Sequence, residues 1–147
     1  MICAILVHNF QSYTSPLQIG FVSSLATKLS DTTASEIGKA YGKTTYLITT
    51  LRRVPKGTEG AVSLDGTIAG VFGSLAIAIA ASMMGLMSGP LSIAIALIAA
   101  FVATTAESFI GAIFQDKISW LTNEMVNFIN TLIGAAVGIS LAIYFKV

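Results

Sequence analysis

Between Asp65 and Glu107 the chain runs for 41 consecutive residues without a formal charge. A helix crossing a bilayer needs about 20 predominantly apolar residues, so this run is long enough for two crossings. Gly89-Pro90 lies within it, and because glycine suits a helix end and proline a helix start, the pair marks a hairpin. The expected spans are 67–87 and 91–114. A second uncharged run of 21 residues, 125–145, predicts a third span, with Tyr144, Phe145 and Lys146 as interfacial anchors. Composition agrees with this reading. Hydrophobic residues make up 54% of the chain and charged residues 10%, against about 25% charged in a typical soluble domain. So apolar a chain does not stay solvated as a disordered one. With Cys3 as the single cysteine and His8 as the single histidine, disulfide frameworks and zinc ribbons are excluded. The net charge of +1 offers no broad basic surface for nucleic acid. The fold class is therefore all-α: a polytopic transmembrane helical bundle.

The N-terminal third is more polar. Residues 1–15 are partly apolar, too short for a span and without the charged flank of a signal peptide, and no role is assigned to them. Residues 16–41 predict a helix whose second half carries Lys28, Asp31, Glu36 and Lys39; it reads as a membrane or re-entrant helix reaching the headgroups. Residues 16–147 then form a single membrane domain, in which 42–66 is a basic loop. Lys39, Lys43, Arg52, Arg53 and Lys56 crowd this region, whereas the Gly89-Pro90 turn carries no lysine or arginine. The positive-inside rule places the loop in the cytoplasm or its stromal equivalent, and the Pro90 hairpin outside.

Nearly every unusual polar residue falls on that same side. Ser24, Lys28, Asp31 and Ser35 share one helix face, as do Thr104, Glu107, Gly111 and Gln115, and likewise Asn123, Asn127, Asn130 and Gly134. Lipid penalises such stripes, so they are expected to face one another around one polar site. The glycine pairs Gly66/Gly70, Gly85/Gly89 and Gly134/Gly138 read as helix-packing contacts. An acid inside a span, such as Glu107, reads as functional, while the asparagines suit interhelical hydrogen bonding and ligand contact equally. No serine–histidine–acid set, phosphate-binding loop of the G-x-x-x-x-G-K-[ST] form or dinucleotide fingerprint is present. Acids, basic residues and the loop Arg52, Arg53, Val54, Pro55, Lys56, Gly57, Thr58, Glu59, Gly60 suit phosphate and Mg²⁺, which prefers one or two carboxylates plus phosphate oxygens. Such a loop also suits plain contact with anionic lipid.

The stretch 24–43, Ser-Leu-Ala-Thr-Lys-Leu-Ser-Asp-Thr-Thr-Ala-Ser-Glu-Ile-Gly-Lys-Ala-Tyr-Gly-Lys, resembles the signature of a widespread integral membrane family that includes the phytyl-phosphate kinases of photosynthetic organisms. The likeness continues through 47–50, through 54–67 (Val-Pro-Lys-Gly-Thr-Glu-Gly-Ala-Val-Ser-Leu-Asp-Gly-Thr), at Glu107-Ser-Phe-Ile-Gly-Ala112 and Gln115, and through 121–131. These blocks cover most of residues 20–138, and the forms Thr-Lys-Leu-Ser-Asp and Gly-Lys-Ala-Tyr-Gly-Lys resemble the photosynthetic branch. The resemblance implies phosphorylation of phytyl phosphate to phytyl diphosphate, in tocopherol and phylloquinone synthesis from salvaged phytol. It implies a nucleoside triphosphate, CTP being expected, with Mg²⁺ as cofactor, and an isoprenoid phosphate and membrane lipid as partners.

On that basis Asp31, Glu36 and Glu107 are the expected catalytic and metal-binding acids. Lys28, Arg52, Arg53 and Lys56 are the expected phosphate contacts, Gly57, Thr58 and Gly60 an oxyanion cradle, and Ser35, Asn127 and Asn130 substrate contacts. The expected location is a plasma, thylakoid or chloroplast membrane. The chain departs from the family pattern at its start, where further spans and another polar motif usually precede the Ser-Asp-Thr block. It therefore resembles the C-terminal part of such proteins, to be completed by N-terminal spans or by a homo-oligomer. A truncated, non-catalytic membrane protein and a transporter subunit are the alternatives.

Overall fold

A computed structural model describes residues 14–115 and 122–147. Cys3, His8, most of the 1–15 segment, Asp116 and Lys117 lie outside the described residues. The order is helix α1 (Thr14–Tyr41), strands β1 (Tyr46–Leu47) and β2 (Ala61–Val62), helix α2 (Leu64–Met83), helix α3 (Gly89–Ile110) continued by one π turn (Gly111–Gln115), and helix α4 (Asn123–Phe145). Among the described residues three stretches are long and apolar enough to cross a membrane: Leu64–Met83, Gly89–Phe114 and Asn123–Phe145. Only 28–33% of their most apolar windows is buried within the bundle, so their remaining apolar surface requires an apolar surrounding such as lipid or further helices.

Local chemistry sets the boundaries and shifts those expected from hydropathy. The first span starts at Leu64 because Ser63 caps it, accepting a hydrogen bond from the Gly66 N–H at 3.1 Å, with Asp65 in the positive first turn. It stops at Met83, short of residue 87, because the chain turns over 84–88 between Gly85 and Gly89, at φ 74° and 80°. Pro90 then occupies the first turn of α3, where its missing N–H costs nothing. The last span begins at Asn123 behind a Thr122 cap. Pro16 is accommodated in the first turn of α1, so that helix begins at Thr14.

α1 is the least apolar of the four helices and lies at the centre of the bundle, touching the other three. Glycines make this possible. A methyl group at Gly66 would stand 2.5 Å from the Ala34 carbonyl oxygen, and one at Gly73 would stand 2.6 Å from the Thr33 hydroxyl. On the other flank, side chains at Gly134 and Gly138 would collide with Thr27 and Ser23. Two of the three glycine pairs are therefore packing contacts; Gly85 and Gly89 belong to the open turn. Hydroxyls of α1 are satisfied mostly by backbone: Thr27 donates to the Ser23 carbonyl at 2.7 Å, and Thr33 donates to the Leu29 carbonyl at 2.8 Å and across to Ala69 of α2 at 3.2 Å. At the end holding the 84–88 turn, Ile19, Val22, Ala78, Ala81, Ile95 and Ala142 form an apolar core.

The basic loop is folded. β1 and β2 pair antiparallel with Tyr46 opposite Val62 and Leu47 opposite Ala61, and the Thr45 hydroxyl donates to the Val54 carbonyl at 2.5 Å. The loop ends at Ser63, earlier than the expected residue 66, and forms a cap over one end of the bundle.

Candidate functional site

Beneath that cap the helices enclose a cavity of about 520 Å³, lined by all four helices and by the loop. Asp31 lies about 15 Å inside the Tyr41 end of α1, at 1.5 Å rise per residue. Its side chain is only 14% exposed, and its carboxyl interacts with that of Glu107 on α3. Lys28, one turn deeper, sits 4.0 Å from the Asp31 carboxylate and donates to the Asn127 side-chain oxygen of α4 at 2.8 Å. Ser30 and Thr104 approach to 3.4 Å below the acids. The three polar stripes thus meet, as their spacing predicts.

The loop supplies the roof. Gly57, Thr58, Glu59 and Gly60 line the cavity, and the Glu59 charge acts on Glu107. Gly60, at φ 71°, lies against Ser108 and Ala112, where a methyl group would stand 2.5 Å from the Ser108 carbonyl oxygen. Only glycine lets the loop seat on the end of α3. The seat adjoins the π turn, a local widening of the helix that recurs at functional sites.

Several expected residues stand elsewhere. Arg52, Arg53 and Lys56 are exposed and outside the cavity, because the hairpin carries them outward. Arg53 instead hydrogen-bonds Tyr46, which holds that phenol below its ordinary pKa, with Thr44 adding to the effect. Glu36 reaches the cavity rim, 3.7 Å from Lys39, and does not join Asp31 and Glu107. Among the described residues no three His, Cys, Asp or Glu side chains cluster to hold a metal ion. Of the three expected acids, Asp31 and Glu107 stand together and Glu36 stands apart beside Lys39. Asn130 is 1% exposed and lies outside the cavity, its amide without a hydrogen-bond partner among the described residues. Ser35 lines the cavity and donates to the Thr32 carbonyl. The Gln115 side chain lies outside the described set.

Two charged cavity residues escaped the site expected from sequence. Lys39 continues the row Asp31, Ser35, Lys39 at intervals of four, and its charge acts on Asp31, so periodicity could have found it. Glu59 sits in an irregular loop, and only the Gly60 contact brings it over Glu107.

A family profile described as "Integral membrane protein DUF92" matches residues 1–135. The chain belongs to the DUF92 family. It is thus an integral membrane protein with several spans. An uncharacterized membrane protein of Synechocystis is 58% identical over 125 residues, covering 85% of this chain and 48% of the relative. Protein VTE6, chloroplastic, of Arabidopsis thaliana is 49% identical over 130 residues, 87% of this chain and 39% of the relative. An uncharacterized membrane protein of Methanocaldococcus jannaschii is 40% identical over 123 residues, 82% of this chain and 50% of the relative. The chain thus spans half or less of the length of each of these relatives. No solved structure matches it.

Proposed function

We propose that this DUF92 chain forms the phosphate-handling part of a membrane phosphotransferase that converts an isoprenoid monophosphate, phytyl phosphate in the first instance, to its diphosphate. The carrying observation is the Asp31–Glu107 carboxyl pair, held in a bilayer-level cavity beside Lys28 and Lys39 and under a glycine-bearing loop. Two carboxyl groups this close need a shared proton or a cation between them. Two carboxylates completed by phosphate oxygens are a donor set that suits Mg²⁺, so Asp31 and Glu107 would hold it. Mg²⁺ would supply charge neutralisation on the phosphates. Lys28, positioned by Asn127, and Lys39 bind the phosphate oxygens. Backbone N–H groups around Gly57, Thr58 and Gly60 cradle the terminal phosphate of a nucleoside triphosphate such as CTP.

The terminal phosphoryl group moves to an ionised oxygen of the monophosphate, leaving a nucleoside diphosphate, so the protein's task is positioning and electrostatics. The similarity to the chloroplastic protein VTE6 supports this reading, as does the photosynthetic form of the 24–43 signature. The cavity then faces the cytoplasm or stroma of a plasma, thylakoid or chloroplast membrane. The test is expression in membranes, alone and joined to the N-terminal portion of the Synechocystis relative, with phytyl phosphate and a panel of nucleoside triphosphates. Formation of phytyl diphosphate, lost in Asp31→Asn and Glu107→Gln, is expected. Near-normal turnover in both variants would remove the acid pair from the mechanism.

A further inference from the structure

The cavity does not end at the charged residues. It descends between α2 and α3, where its lining becomes Gly70 and Val71 on one side and Phe101 and Thr105 on the other. Val71 is 40% exposed and Phe101 51% exposed, so each shows one part to the cavity and another to the outside of the bundle. Both residues belong to membrane-crossing helices, so the outer part of each side chain stands at the depth of the hydrocarbon.

The way α1 is packed explains the opening. Near the 84–88 turn, α2 and α3 close on one another around Ala78, Ala81, Ile95 and Ala96. Towards the loop, α1 comes between them: Ser30 and Ala34 stand against Gly70 of α2, and Ser30 reaches Thr104 of α3. A helix inserted from one side spreads its neighbours on the other. The resulting cleft has α1 as its floor, Val71 and Phe101 as its lips, and Lys28 with the acid pair at its inner end.

We infer that this cleft is a lateral portal from the bilayer, and that it seats the first part of the hydrocarbon chain of a single-chain amphiphile whose phosphate head lies at Lys28. This rests on the phosphate-handling reading of the cavity and adds the route and the tail-binding residues. A water-soluble substrate needs only an opening under the loop, and an apolar lip on the lipid side would serve it no purpose. A substrate that partitions into the membrane can instead slide sideways with its head at the polar level, never lifting its apolar chain into water.

The test is photo-cross-linking of the full chain in membranes. The probe is an isoprenoid monophosphate carrying a diazirine on the chain, within a few carbons of the head. Label is expected on peptides bearing Val71 and Phe101, displaced by excess phytyl phosphate and left in place by equal amounts of phytol or inorganic phosphate. In Val71→Trp the label should fall about tenfold or more at both positions. Phe72, 66% exposed on the same helix and absent from the cavity lining, supplies the control Phe72→Trp, expected to leave labelling unchanged. Label spread over lipid-facing residues such as Phe72 and Ile98, or label that phytyl phosphate does not displace, would overturn the portal. Labelling requires no turnover. Displaceable label at the two lips without phosphoryl transfer would therefore sink the kinase reading alone, and transfer with label elsewhere would sink the portal alone.

Discussion

The two ends of this bundle are built from the same four helices and obey different rules. At the turn end, Ile19, Val22, Ala78, Ala81, Ile95 and Ala142 fill the space with small and branched apolar groups. At the loop end, the same helices present Lys28, Asp31, Glu107 and Asn127 around open volume. The turn end is where packing can be completed, whereas the loop end gathers charged groups around volume that side chains leave unfilled. A membrane helix tolerates such groups where neighbours supply partners, and a cavity that retains several of them is a place kept for a ligand.

Substitutions should separate the two ends. The largest effect is expected from Asp31→Asn and Glu107→Gln, each lowering phytyl diphosphate formation by about 100-fold or more while leaving the thermal unfolding midpoint in detergent nearly unchanged. A comparable loss of midpoint would place the acids among the structural contacts and erase the contrast. Next comes Gly134→Val, which drives a branched side chain into Thr27 and should cost about 1–3 kcal/mol of stability, read from reversible unfolding in mixed micelles. Lys28→Gln removes the bond to Asn127 and one phosphate contact; KM for the phosphate substrate should rise on the order of tenfold. The smallest effect belongs to Arg53→Gln, outside both ends. Turnover should change by less than about twofold, as for most exposed charges. Because Arg53 holds the Tyr46 phenol below its ordinary value, its loss should move that titration upward. The phenolate absorbance of Arg53→Gln, read against Tyr46→Phe, reports this.

Much of this arrangement was legible in the residues. Uncharged runs located all three spans, because lipid leaves hydropathy little freedom, and i, i+3, i+4 spacing identified Lys28, Asp31, Glu107 and Asn127 as residues facing a common centre. Periodicity reports which face of a helix is polar and not which helix lies in the middle, so the central place of α1 emerged only with the Gly66, Gly70, Gly134 and Gly138 contacts. Boundaries moved by a few residues because caps such as Ser63 and turns such as Gly85–Gly89 override hydropathy. Arg52, Arg53 and Lys56 stand outside the cavity for a related reason: a loop has no period, and the reversal between β1 and β2 decides which of its residues line it. Asn130 was expected to hydrogen-bond across helices or to contact substrate, and it lies outside the cavity. It is buried in the bundle as a packing residue would be, yet it has no hydrogen-bond partner among the described residues.

The central position of α1 also bears on how the protein enters the membrane. A helix carrying Lys28, Asp31, Glu36 and Lys39 is a poor candidate for insertion by itself, since a charge at a helix centre costs about 2.5–3.5 kcal/mol at the translocon. It is nevertheless synthesised before the helices that shelter it. The seat of α1 is complete only when α2 and α4 both present their glycine faces. A chain ending after the 84–88 turn would offer α1 only half its seat, the flank on α2 without the one on α4.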